Sequence, residues 1–207
     1  MSGDDRSANE RTMQGQAVDG NARLTGMSGA VLLVVLAVEG VTVVDVGGML
    51  ALHVFVGLFV IPVVCVKLGS TGFRFYHYYR GIEAYRQKGP PHPILRIAGP
   101  VVVVTTLVII ASGIATLAVG PRHREPWLTV HQGSFAAWFV VTTVHVLGHA
   151  LETWRFTREE VGGNPPLPRR GARFAVIAIS LAIGLVLGIL SLRWTGAWDN
   201  ATNLGDG

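Results

Sequence analysis

The sequence predicts an all-α integral membrane protein, a helix bundle of about five transmembrane helices with a four-helix core. Three observations carry this. Half of the 207 residues are apolar and only 14% are charged, whereas soluble domains carry roughly a quarter. The apolar residues gather in runs that match the ~30 Å hydrocarbon core, which takes about 20 residues of helix to cross. The charges fall in short blocks between those runs, as expected where a helix must satisfy its own backbone without water.

The elements follow in order. Residues 1–22 are polar, acidic and poor in apolar side chains, which reads as a disordered cytoplasmic tail. They lack the basic start and short apolar core of a cleavable signal, so the first run is expected to persist as a helix. That run covers roughly Leu24 to Val44, and the second covers Gly48 to Leu68. Gly47-Gly48 parts them so tightly that the two helices must be antiparallel neighbours, with Asp45 as a turn residue. The aromatic and basic stretch from Gly69 to Arg80 either prolongs the second helix or lies along the interface. Gly89-Pro90-Pro91 and Gly120-Pro121 flank the third run, Arg96 to Val119. The fourth run, Trp127 to Leu151, completes a membrane core over 23–154. Residues 155–172 read as a loop, 173–193 as a fifth helix and 194–207 as a tail. Trp127, Trp194 and Trp198 stand at helix ends on one side, where aromatic belts occur.

Fourteen of the seventeen lysines and arginines fall in the N-terminal tail and the segments 67–96 and 155–173, all on one side of this topology. The positive-inside bias then predicts a plasma-membrane protein with a cytoplasmic N-terminus and an outer C-terminus. The basic loops set topology and meet anionic lipid. They form no stripe with interleaved aromatics, so nucleic acid is not an expected partner. The single cysteine, Cys65, excludes an internal disulfide, and the absence of C-x-x-C-H excludes covalently attached c-type haem. Cys65 itself reads as a small buried apolar side chain. No Gly-rich phosphate loop and no nucleophile with a plausible base are present.

Ionisable side chains are costly inside a bilayer, so those in the apolar runs are the candidates for chemistry. They are Glu39, His53, His131, His145 and His149, with Lys67 at the end of the second run. His53 lies about one turn beyond the Gly47-Gly48 turn, and His131 about one turn beyond the start of the fourth helix. Two imidazoles at one depth on different helices are what a six-coordinate haem requires. Gly57, four residues after His53, shares its face, and Gly40 and Gly113 fall at similar depth. Such glycines admit a flat ring against a helix backbone, or simply let helices pack closely. His145 and His149, spaced i, i+4, present two more imidazoles near the other surface and are a second candidate metal-binding pair. Glu39 either serves a proton or quinol head group or reaches the interface.

With His53, His131 and His145 in place, helices one to four resemble the four-helix membrane domain of b-type cytochromes. That family includes cytochrome b of quinol-oxidising complexes and the membrane anchors of formate dehydrogenases and hydrogenases. Its pattern is a histidine pair with thirteen residues between its members on the second helix, matched by a similar pair on the fourth. The fourth helix fits with His131 and His145; on the second, Lys67 stands where the partner of His53 belongs. The stretch from His53 to Glu152, with KLGSTGFRFYHYYRG and HVLGH, also looks like a group of small actinobacterial membrane proteins. The cytochrome resemblance implies haem b at His53 and His131, with a second haem at His145 or His149 as the alternative count. His77 or His92 could supply the missing ligand if the intervening loop folds back. It implies an electron-transfer subunit working between quinone and an outer-face redox protein, with Arg122, His123 and Arg124 as a docking point. The competing expectation is a haem-free membrane scaffold or small transporter, whose histidines only bond helices to one another.

Overall fold

The computed structural model describes residues 3–86 and 93–203. Its helices are α1 (Gly3–Val44), α2 (Leu50–Phe59), α3 (Ile61–Tyr79), the single turn α4 (Glu83–Arg86), α5 (Pro93–Val119), α6 (Glu125–Gly162) and α7 (Arg170–Asn203). A 3-10 turn, Pro121–His123, joins α5 to α6. Five segments are long and apolar enough to span a membrane, with α2 and α3 counting as one. Among the described residues there is no strand. The protein is an all-α membrane helix bundle. Its outward face agrees with that, since Leu147 and Leu151 stand 73% and 86% exposed. Large apolar side chains turned outward are stable only where the surroundings are lipid.

The turn at 45–49 forms because Asp45 folds over it: its Oδ1 accepts from the Gly48 amide at 3.0 Å and its carbonyl from Met49 at 3.0 Å. The second span breaks at Val60. Pro62, at the start of α3, has no amide hydrogen to give to the Leu58 carbonyl, so the expected single run becomes two helices. α3 then runs on to Tyr79, so the aromatic stretch after Gly69 prolongs the helix.

Several sequence expectations are corrected. The stretch 1–22, read as a disordered tail, is helical from Gly3, and Val18 and Ala22 are buried on it. The segment 155–172, read as a loop, is mostly helix. α6 continues to Gly162 and ends where Gly163 takes φ +67°, a left-handed conformation that suits glycine. The Gly163 and Asn164 amides then close the helix end on the Glu160 and Glu159 carbonyls. The fifth helix, expected over 173–193, runs from Arg170 to Asn203, and Trp198 is buried with the Arg124 guanidinium 5.8 Å from its ring. Cys65 is exposed on the outward face, not buried.

Packing runs in a chain: α5 on α6, α6 on α1, α1 on α2 and α3, and these on α7. Each junction uses a glycine, as lipid-embedded helices do when no hydrophobic force drives them together. Gly26 admits the Cβ of Phe156 between α1 and α6, and Gly148 admits Leu95 between α6 and α5. Gly184 and Gly188 of α7, spaced four apart, admit the Phe59 carbonyl and the Phe55 ring. Those two rings stack at 6.2 Å between centroids.

Three helices are also clasped by charge. Glu160 of α6 is fully buried, and Arg173 of α7 grips both its oxygens at 2.7 and 3.1 Å. Arg23 of α1 approaches Glu160 at 3.3 Å and Glu159 at 3.7 Å.

Candidate functional site

α2 and α6 bring His53 and His131 together. Their ring centroids lie 6.2 Å apart with planes at 83°. Each ring is held by its Nδ1, and each by a different kind of partner.

His53 is held from α1. Its Nδ1 lies 2.9 Å from Thr42 Oγ1 and 3.1 Å from Glu39 Oε1. The Thr42 hydroxyl gives its own hydrogen to the Glu39 carbonyl at 2.6 Å, so towards His53 it offers a lone pair. The His53 Nδ1 therefore carries the proton.

His131 is held from α5. Its Nδ1 donates to the Ile109 carbonyl at 2.9 Å, with Ser112 Oγ at 3.3 Å. A carbonyl can only accept, so the tautomer is fixed here too. Gly113 makes the approach possible, since a Cβ there would stand 3.0 Å from His131 Cε1.

Neither Nε2 has a hydrogen-bond partner among the described residues. Both imidazoles thus present the geometry of metal-ligating histidines, one nitrogen tied to an outer partner and the other bearing a free lone pair. With metal–nitrogen bonds of about 2 Å and a ring radius of about 1.2 Å, two imidazoles flanking one metal have centroids about 6.4 Å apart. The observed separation matches. Among the described residues, no group of three or more His, Cys, Asp or Glu side chains is arranged to hold a metal ion.

The other expected residues are placed as follows. A Cβ on Gly57 would lie 3.4 Å from Glu39 Oε1, so Gly57 leaves room for the carboxylate that supports His53. Gly40 faces open space. His145 and His149 sit side by side on α6, 4.8 Å between ring centroids. His149 Nδ1 is 3.2 Å from Glu152 Oε2, while His145 Nδ1 is buried without a partner among the described residues. Lys67 does not stand in for a ligand: its ammonium donates to the Thr25 carbonyl of α1 at 2.8 Å, over Gly29. His77 is taken up by the Phe73 carbonyl at 2.8 Å and by the Phe73 and Tyr85 rings. His92 lies outside the described residues.

Sequence reasoning missed Thr42 and the role of Glu39. A signal existed: Thr42 precedes Gly47 by five residues and His53 follows Gly48 by five, which sets them at equal depth on two antiparallel helices. Ser112 and Ile109 were missed likewise, opposite His131 across the 120–124 link.

Fold and site together define a polytopic all-α membrane protein with a paired-histidine centre between two of its spans. No family model, no curated protein and no solved structure matches the chain.

Proposed function

We propose that the protein is a small b-type cytochrome, an electron-transfer subunit that holds one haem b between His53 and His131. The observation that carries this reading is the ring pair itself: centroids 6.2 Å apart, both Nδ1 atoms tied down, both Nε2 atoms free. The haem would supply reversible one-electron iron chemistry. The chain would supply axial nitrogens, a low-dielectric surround and, through α1 and α5, the orientation of both rings. The resemblance to b-type cytochromes points the same way.

Only one haem is proposed. Lys67 is committed to α1, and among the described residues His145 and His149 belong to no group of three or more metal-binding side chains. The cluster of Lys67, His145, His149 and Glu152 instead suits the head group of a quinone, because the buried His145 Nδ1 has a hydrogen bond to offer or accept. With the excess of basic residues taken as cytoplasmic, His131 lies about 9 Å along α6 from its outer end. A soluble redox partner would then dock at Arg122 and His123, which are exposed, while Arg124 is engaged by Glu125 and Trp198.

The test is a pigment measurement. Protein purified from haem-replete cells should be red, with b-type bands on dithionite reduction and one haem per chain. His53→Ala and His131→Ala should each abolish the bands. A colourless wild type would leave the other reading standing. In that case the edge-to-face contact of the two rings, within the ~4.5–7 Å range of such pairs, is an interhelical contact in a haem-free scaffold or transporter.

A further inference from the structure

The two histidines are not held alike. His131 gives its Nδ1 proton to a backbone carbonyl, a neutral acceptor, while His53 faces the carboxylate of Glu39 together with the Thr42 hydroxyl. The second arrangement is built, since three contacts close on one another: Glu39 Oε1 to His53 Nδ1 at 3.1 Å, Thr42 Oγ1 to the same nitrogen at 2.9 Å, and Thr42 Oγ1 to Glu39 Oε2 at 3.3 Å. Thr42 is fully buried, and Gly57 of α2 leaves space for the carboxylate. An acid kept inside a membrane span needs a reason to be there, and no arginine or lysine faces this one among the described residues.

We propose that Glu39 is the positioning residue that sets the reduction potential of this centre, acting through His53. The inference rests on the haem reading above. A carboxylate that accepts from Nδ1 draws the proton away from the imidazole and makes its Nε2 a stronger electron donor. Stronger donation stabilises the oxidised iron over the reduced iron, as does a nearby negative charge. Both effects lower the potential. His131, on its neutral acceptor, lacks this bias. α1 carries no ligand, yet in this arrangement it governs the electron carrier.

The experiment is a redox titration of the full-length wild type and variants at one fixed alkaline pH that keeps Glu39 ionised, following the reduced b-type band, with haem content measured alongside. Glu39→Gln, which keeps the shape and removes the charge, should retain its haem and show a higher midpoint potential. Thr42→Val should raise it in the same direction by less, because the carboxylate remains. Glu10→Gln removes an exposed acid about 43 Å along α1 from Glu39, and it should leave the midpoint unchanged. If Glu39→Gln fails to accumulate, Glu39→Asp is read in its place: the shorter arm withdraws the carboxylate from Nδ1, and the midpoint must rise. A haem-replete Glu39 variant with an unmoved or lowered midpoint overturns this proposal alone. A colourless wild type overturns both readings together.

Discussion

His131 owes its position to an atom that is missing. Gly113 offers no Cβ, and the ring slides over it to reach the Ile109 carbonyl. Gly113→Val should therefore push the ring off its acceptor, release the tautomer and, under the proposed haem reading, lose most of the haem, while helix content by circular dichroism stays near wild type. Gly99→Ala, on the same helix with open space beside it, is the matched control and should hold its haem. Equal haem in both variants would show that the α5 backbone does not shape the site. The same scale explains what the sequence made legible. Counting residues from the glycine turns placed His53 and His131 at one depth, and the structure brings them together. Which side chains of α1 and α5 would face them depended on helix rotation, which short polar residues such as Thr42 and Ser112 do not announce.

Among the elements, α2 carries His53 but draws little support from α6, and it leans on α7 through Phe55 and Phe59. A side chain at Gly188 would meet the Phe55 ring at 2.8 Å, and at Gly184 it would strike backbone. Gly188→Leu should thus cost about 1–3 kcal/mol, the usual penalty of overpacking. It should be read as a lower thermal midpoint in detergent. Because α2 would tilt or shift to relieve the clash, the proposed haem should also be lost more readily from the variant than from wild type on dilution or mild heating. Unchanged stability would mean that α7 is not the support of α2. The Gly184/Gly188 spacing was visible in the sequence, but glycines are common in membrane helices, so nothing there told which neighbour they would meet. The break at Val60 was hidden for the converse reason: Pro62 sat inside an apolar run whose length alone satisfied the span.

At the scale of the whole molecule, the five spans were legible because crossing lipid demands length and composition, which any sequence displays. The long ends of α1, α6 and α7 were not, because their polar residues look solvated until the helices meet. Arg23, Glu160 and Arg173 are the case in point. They sit in basic segments that read as topology signals, yet in the fold they close three helices at one end. Such a clasp poses a question of energy. Two arginines and a glutamate lose their water on burial, and mutual attraction returns about what desolvation took, so the assembled set adds little net stability while a broken one is costly. Glu160→Ala, which among the described residues leaves Arg173 with only the Pro168 carbonyl and Arg23 with only the longer contact to Glu159, should then destabilise the protein by about 3–5 kcal/mol. That loss should be evident as a marked fall in the detergent thermal midpoint. The triple variant Arg23→Met, Glu160→Met, Arg173→Met removes the three buried charges, leaves the half-exposed Glu159 to Arg155, and keeps side chains of similar length, so it should recover most of what the single change lost. Recovery would mean that the charges select which helix ends meet and that packing supplies the stability. A triple variant as unstable as Glu160→Ala would mean that the ion contacts themselves hold α1, α6 and α7 together.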